Sequence, residues 1–138
     1  IDLYTGSDTI GLPVHNKGLA KTLTEMPLIF HFSKINLNIT SKSIRTGLPL
    51  RIFDILGCGG FCLTNYQSEL ADYFTIGQDL ECYTDANDLL DKVTYYLSHE
   101  EERAEIARNG FETVQKYHNY PERLLQMLTL AYNIKEDK

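Results

Sequence analysis

Short stretches of apolar residues recur along the first two-thirds of the chain, separated by polar and glycine-containing segments. Residues 35–39 alternate apolar and polar positions with period two, and residues 61–64 form an apolar run without charge. Both patterns are typical of strands, the second of a strand that is buried on both faces. The predicted strands cover residues 1–4, 35–39, 61–64 and 80–83. The remainder of 1–24 is not periodic and predicts a loop.

Helical spacing fills the segments between these strands. Pro49 at the start of one apolar stripe and two glycines after its end predict a helix with Leu50, Phe53 and Leu56 on its inner face. The other predicted helices cover residues 26–34, 69–74, 85–97, 98–114 and 119–131.

Capping residues divide the last third of the chain into three helices. Asp85 is a predicted N-cap, Ser98 and Glu101 form a predicted capping box, and Asn119 starts the terminal helix. The first of these helices carries an apolar stripe that consists of Leu89, Leu90, Val93, Tyr96 and Leu97.

Strands that alternate with helices predict an α/β fold: a Rossmann-like parallel sheet flanked by helices, with a helical C-terminal segment. We expect one domain over residues 1–138, with a loop-rich N-terminal part (1–24) and C-terminal helices (85–134). Ligands of parallel sheets bind beyond the carboxyl ends of the strands. This rule directs attention to the loops after Ile39 and Leu63.

Composition and charge narrow the class of protein. The chain has 138 residues, of which 43% are hydrophobic, and no apolar run long enough for a transmembrane segment. A net charge of −6 argues against a nucleic-acid binder, which usually carries a basic face. The chain opens at Ile1 without a leader sequence, which indicates a piece of a longer protein.

The three cysteines predict a reducing, cytoplasmic compartment, since an odd number cannot form a complete set of disulfides. Cys58 and Cys62 lack a second Cys or His pair at ligand spacing, so we expect buried, unreactive thiols and no metal site. Among the four histidines, only His15 is retained as a possible site residue. The glycines around Cys58 follow a helix and predict its end, not a dinucleotide fingerprint.

The segment from Thr40 to Gly47 carries the strongest candidate chemistry. It contains hydroxyl and cationic side chains and leads into the predicted helix at Pro49, whose first amides and dipole attract anions. Arg51 and Asp54 follow on one helical face. They form either an ion pair or part of a site for a phosphorylated nucleoside, where cations hold the diphosphate and the carboxylate accepts ribose hydroxyls.

The run Arg45-Thr46-Gly47-Leu48-Pro49-Leu50-Arg51-Ile52-Phe53-Asp54-Ile55-Leu56-Gly57-Cys58-Gly59-Gly60-Phe61 resembles a known family. It is similar to the C-terminal, donor-binding half of two-domain glycosyltransferases of the CgeB-like (spore maturation protein) group. The resemblance covers roughly residues 25–130. It continues through residues 80–83, 95–103, 106–110 and 120–123.

The resemblance implies roles for particular residues. In related enzymes an acidic residue in the helix before a small-x-Gly turn binds the donor ribose, and Asp54 occupies that place. A second acidic residue usually lies eight positions earlier, where this chain has Thr46. The resemblance also implies diphosphate contacts from Arg45 and Arg51, with Ser43 in the same loop.

The implied reaction is transfer of a sugar from a nucleoside diphosphate sugar to a hydroxyl acceptor, with the nucleotide sugar as substrate and no cofactor. Thr64 and Asn65 are expected to line the same cleft. The N-terminal acceptor-binding domain, which often supplies the catalytic base, is the missing partner. Two other classes stay open: a non-catalytic Rossmann-like interaction or scaffold module, and a phosphate-binding regulatory domain without preference for a nucleoside.

Overall fold

A computed structural model describes residues 2–4, 11, 13–41 and 46–132 and has the predicted α/β architecture. The strands in this part of the chain are β1 (Asp2–Leu3), β2 (His15–Asn16), β3 (Asn36–Asn38), β4 (Cys62–Asn65) and β5 (Glu81–Tyr83). The helices are α1 (Met26–Phe32), α2 (Leu50–Gly57), α3 (Leu70–Tyr73), α4 (Ala86–Ser98), α5 (Glu100–Tyr117) and α6 (Tyr120–Tyr132).

The described strands form two small parallel sheets. The larger has the order β3-β4-β5, with Leu37 opposite Leu63 and Thr64 opposite Cys82. The smaller pairs β1 with β2. The parallel sheet is confirmed, but β2 lies in a segment predicted as loop. The two residues of β2 are polar and exposed, so no apolar periodicity marks them.

Helices cover both faces of the larger sheet. On one face, the α2 side chains Ile52, Ile55 and Leu56 belong to the same buried cluster as Cys62 and Cys82. The second cluster brings strand residues together with α4 and α5; its members are Phe61, Leu63, Tyr83, Tyr96, Ile106 and Ala107. This arrangement confirms the prediction of a sheet flanked by helices.

The inner face of α2 differs from the predicted one. Leu50 is 78% exposed, whereas Ile52, Ile55 and Leu56 are buried. Pro49 is the N-cap residue and not the first helical residue. The residues spaced three and four apart from Ile52 form the stripe that packs, and Leu50 lies in the open first turn outside it.

Strand β3 has the predicted alternation with polar residues inside. Asn36 and Asn38 are buried, while Leu37 is 46% exposed. The Asn36 amide donates to the carbonyl oxygens of Phe30 (2.9 Å) and Phe61 (3.3 Å). These hydrogen bonds replace those that the amide would make with water, so its burial leaves no donor unsatisfied.

The predicted caps of the C-terminal helices are partly correct. The Asp85 carboxylate accepts hydrogen bonds from the backbone N–H groups of Asn87 (2.8 Å) and Asp88 (3.1 Å), which confirms it as the N-cap. The capping box at Ser98 is wrong, because Ser98 ends α4 and His99 is the N-cap of α5. The Ser98 hydroxyl instead bonds to backbone carbonyls of its own helix.

The C-terminal helices bury less apolar surface than their patterns predict. In α4, Leu90 and Leu97 are 63% and 49% exposed, so the packed stripe is narrower than predicted. The terminal helix α6 begins after Asn119, whose side chain caps it by accepting from the N–H of Glu122 (3.0 Å). No residue of α6 is buried.

All three cysteines have free thiols. Cys62 and Cys82 lie in the core and Cys58 is half-buried at the end of α2. Burial raises the pKa of the Cys62 thiol to about 12, so it stays protonated at neutral pH. The prediction that the thiols are buried is confirmed for Cys62 and Cys82.

Helix α5 packs unusually closely at Gly110. A Cβ atom at this position would overlap the carbonyl oxygen of Asp79 and would lie 2.8 Å from Cδ2 of Leu56. The buried Asp79 carboxylate accepts from the N–H of Thr75 (2.7 Å) and the hydroxyl of Thr113 (2.9 Å). These contacts hold α5 against both α2 and the turn before β5.

We expect Gly110→Ala to lower the free energy of unfolding by about 2–4 kcal/mol, because backbone atoms of α5 and the Asp79 turn must separate. Urea denaturation of the 138-residue chain measures this change. Gly57→Ala is the matched control, since its Cβ would meet only Val114 Cγ1 at 3.8 Å. An alanine there should leave stability unchanged or raise it by up to about 1 kcal/mol. Equal stability of the two variants would contradict the packing argument.

An aromatic cluster joins α2, α3 and the end of α5 around His118. The His118 ring lies 5.6 Å from the ring of Phe53 and 5.2 Å from that of Phe74. Its Nε2 lies 3.1 Å from the carbonyl oxygen of Tyr73, and its Nδ1 lies 2.8 Å from Nη2 of Arg123. Burial, assisted by the Arg123 charge, lowers the pKa of His118 below 6.5.

A lowered pKa means that the unfolded chain binds this proton more readily than the folded chain. The free energy of unfolding should therefore fall as pH drops from about 6.5 toward the folded pKa of His118. An NMR titration of the His118 ring should give a midpoint below 6.5. His118→Gln should flatten the pH dependence in that window, whereas His99→Gln, on an exposed ring, serves as the control. A midpoint at or above 6.5 would contradict this reasoning.

Candidate functional site

The carboxyl ends of β3 and β4 meet at one edge of the larger sheet, where the loops of residues 39–49 and 66–69 begin. Asn38 pairs with Thr64 in the register of the two strands. Polar side chains gather at this edge because both strands end on them. It is the edge at which parallel sheets bind ligands.

A hydrogen-bonded chain of side chains links the two loops. The Asn38 amide donates to the hydroxyls of Thr64 (2.9 Å) and Thr40 (3.3 Å). The backbone N–H of Thr40 donates to Oδ1 of Asn65 (2.6 Å), and the Thr40 hydroxyl donates to Oε1 of Gln67 (3.2 Å). The start of the loop after β3 is therefore fixed by side chains from β4 and beyond it.

The far end of the same loop is held in a similar way. The backbone N–H of Gly47 donates to Oε2 of Glu69 (2.7 Å), and the Gln67 amide lies 3.5 Å from the Gly47 carbonyl oxygen. Gly47 has a φ of 85°, which residues with a side chain rarely adopt. The loop is thus tied down on both sides of residues 42–45, which lie outside the described part of the chain.

Helix α2 begins immediately after this loop and directs its N-terminus to the same edge. Its N-cap, Pro49, provides no side-chain acceptor. The backbone N–H groups of the first turn carry the positive end of the helix dipole. These N–H groups would attract an anion, whereas the Glu69 carboxylate at the same edge would repel it.

Arg51 and Asp54 lie on the exposed surface of α2. The Arg51 guanidinium stacks over the Phe30 ring, with 5.6 Å from Cζ to the ring centroid. Among the residues with described side chains, no ion pair joins Arg51 to Asp54, and the Asp54 carboxylate accepts no hydrogen bond. The sequence left two interpretations of this pair open, an ion pair or part of a binding site. The ion pair is not present in the structure.

The Asp54 carboxylate also affects the Cys58 thiol at the end of the same helix. It adds to the effect of burial in raising the pKa of the Cys58 thiol. The carboxylate itself is exposed on the outer face of α2 and can accept hydrogen bonds there.

The structure brings some of the predicted site residues together and separates others. Asn65 belongs to the hydrogen-bonded chain, and Thr46 is exposed beside Gly47. Thr64 has no exposed surface, so its hydroxyl supports the site from below and lines no cleft. Thr64 and Asn65 are the last two residues of β4, one residue beyond the predicted end of this strand. The predicted contacts of Ser43 and Arg45 fall on residues outside the described part.

Other parts of the site were not predicted. Most of its hydrogen bonds are made by Asn38, Thr40, Gln67 and Glu69, of which only Thr40 lies in the segment that the sequence singled out. The polar positions of the alternating segment 35–39 are the signal that would have found Asn38. His15 instead lies in β2, with its Nδ1 3.3 Å from Oδ1 of Asp2.

A family model described as glycosyl transferase-like matches residues 6–129, which is nearly the whole chain. The chain therefore belongs to the glycosyl transferase-like family and is a glycosyltransferase-type domain. A search of curated proteins finds no match. The parallel sheet and the polar carboxyl edge agree with this membership.

Two further observations concern the described ranges only. They contain no group of three or more His, Cys, Asp or Glu side chains arranged to hold a metal ion. None of their helices combines the length and apolar character that a membrane crossing requires.

We expect Asn65→Ala to release the loop after β3, because the N–H of Thr40 would lose its acceptor at 2.6 Å. Loss of one such bond should lower the free energy of unfolding by about 1–2 kcal/mol. Amide hydrogen exchange at Thr40, followed by NMR, should become faster. Asn87→Ala, at an exposed position of α4, is the matched control. Unchanged exchange at Thr40 in Asn65→Ala would show that the loop does not depend on this bond.

Proposed function

We propose that this chain is the donor-binding half of a glycosyltransferase of the CgeB-like (spore maturation protein) group. It would hold a nucleoside diphosphate sugar at the carboxyl edge of β3 and β4. The observation that carries the proposal is the edge itself. There, a loop fixed at both ends leads into an exposed helix N-terminus, and the Asp54 carboxylate, which has no partner among the described residues, follows on the same helix.

The diphosphate is the part of the donor that this edge suits best. Phosphate oxygens accept hydrogen bonds from backbone N–H groups at a helix N-terminus and are attracted by its dipole. The exposed Arg51 guanidinium, with its Cζ 5.6 Å from the Phe30 ring centroid, would donate N–H groups to a phosphate. Arg45, Ser43 and Thr46 of the preceding loop would complete the diphosphate contacts.

Asp54 suits the ribose of the donor. Its carboxylate is an acceptor without a partner in the described part of the chain, and two ribose hydroxyls would donate to its two oxygens. Asn65 holds the neighbouring loop and would keep this geometry fixed. Developing negative charge on the leaving diphosphate would be stabilised by Arg51 and the α2 N-terminus.

A second, N-terminal domain would bind the acceptor and supply the catalytic base. In this interpretation the cleft between two domains excludes water while the sugar is transferred. The position eight residues before Asp54 is Thr46, without charge. The missing charge at Thr46 favours the alternative of a non-catalytic module. Donor binding distinguishes the two functions and is therefore the property to test.

The first experiment measures thermal stabilisation of the 138-residue chain by UDP, GDP, ADP, CDP and dTDP, followed by calorimetry. A nucleotide that binds, at one hundred times its Kd, should stabilise the fold by about 2.7 kcal/mol. Preference for one base would support a donor site. No stabilisation by any of the five would contradict the proposal for this chain and favour the non-catalytic module. Equal stabilisation by inorganic phosphate would favour the regulatory domain.

We expect Asp54→Ala to weaken binding of the preferred nucleotide by about 1.5–3 kcal/mol, roughly tenfold to a hundredfold, because the ribose hydroxyls lose their acceptor. Calorimetry with the nucleoside diphosphate measures this loss. Asp91→Ala removes the same charge from an exposed position of α4 and should bind normally. Arg51→Gln should weaken diphosphate binding more than nucleoside binding. Equal losses for both ligands would mean that Arg51 supports the fold instead.

A further inference from the structure

A second pocket lies at the opposite edge of the sheet. Its volume is about 540 Å³, within the range of small-molecule sites. Lys34 and Phe61 line it immediately before β3 and β4, so it opens at the amino ends of these strands. The end of α1 and one face of α5 form its other walls.

The pocket gathers positive charge in a protein whose net charge is −6. Three permanently cationic side chains line it, namely those of Lys34, Arg103 and Arg108, against the single carboxylate of Glu100. In the part of the chain with described side chains, none of these four residues forms an ion pair. Other glutamates of α5, among them Glu101 and Glu105, lie on its exposed surface, but none forms an ion pair with these cations.

Arg103 is the most unusual member of this group. It is only 7% exposed, and its guanidinium donates to the carbonyl oxygen of Tyr96. A guanidinium has five N–H donors. No buried side-chain nitrogen in the described part of the chain lacks a partner, so the donors that the Tyr96 carbonyl does not bind are accessible to solvent. Burying a cation without an opposite charge is costly, and an anion in the pocket would offset that cost.

The rest of the lining is apolar. The rings of Phe32, Phe61 and Phe111 and the side chains of Ala104 and Ala107 contribute to the walls. Phe32 is 77% exposed, so its ring gains the most if a ligand covers it. Bare inorganic anions would leave these surfaces uncovered, whereas a ligand with an apolar body would bury them.

We propose that this pocket binds a small organic anion, a phosphate or carboxylate group attached to an apolar body of about the size of a fused aromatic ring system. The anionic group would lie between Arg103, Arg108 and Lys34, and the apolar body against Phe32 and Phe111. The pocket lies at the edge opposite the proposed donor site. The two sites can therefore be occupied together, and each can be tested without the other.

Calorimetry on the 138-residue chain with four probes tests the chemistry of the ligand. 1-Naphthyl phosphate and 1-naphthoate carry both parts, 1-naphthol carries only the apolar body, and inorganic phosphate carries only the charge. At least one of the first two should bind about tenfold or more tightly than both partial probes. Comparison of the two distinguishes a phosphate from a carboxylate ligand. Equal binding of 1-naphthol, or no binding of either complete probe, would overturn the proposal.

Charge-removing variants locate the binding. Arg108→Gln and Lys34→Gln, both at exposed positions, should each weaken the preferred probe by about fivefold to tenfold and leave its neutral analogue unchanged. Lys21→Gln removes an exposed cation outside the pocket and should bind normally. Arg103→Gln should lose most of the affinity; should it fail to fold, the two exposed variants decide the question. Wild-type affinity in both exposed variants would overturn the proposal.

Discussion

The close contact of α5 with the turn before β5 fixes the relation between the helices and the sheet. Only hydrogen fits on the inner side of Gly110, so the α5 backbone lies directly against the Asp79 carbonyl and the Leu56 side chain. Asp79 strengthens this contact by bonding to Thr113 of α5. With α5 fixed in this way, α2 has one position on β4, and its N-terminus points to the carboxyl edge. The proposed donor site and the pocket at the opposite edge both depend on this packing.

The sequence predicted the type and order of most elements because apolar spacing and turn residues survive without tertiary information. It predicted β4 well, since a strand buried on both faces is a continuous apolar run. The sequence-based prediction failed at positions whose burial or hydrogen bonding depends on residues distant in sequence. Leu50 matches a helical stripe yet lies outside the core, and the Ser98 hydroxyl prefers its own helix to the next one. The polarity of β3 depends on acceptors from Phe30 and Phe61, which are distant in sequence.

The candidate site shows the same division. The loop and the α2 N-terminus were found from local chemistry, because both are continuous in sequence. The side chains that hold Thr40 of the loop, Asn65 and Gln67, lie 25 and 27 residues further along the chain, and no spacing rule joins them to it. Thr64 was expected in the cleft because it stands at the carboxyl end of its strand, but its buried hydroxyl accepts from the Asn38 amide inside the sheet.

Helix α6 has no buried side chain and is held mainly through its first turn, where Arg123 contacts His118 and lies 5.3 Å from the Tyr73 ring centroid. A helix of 13 residues gains little stability by itself. The chain therefore contains two cooperative units, a core that unfolds as a whole and a terminal helix that unravels at much lower cost. Helical content and core tyrosine environment should consequently report different transitions, and a two-state treatment describes only the core.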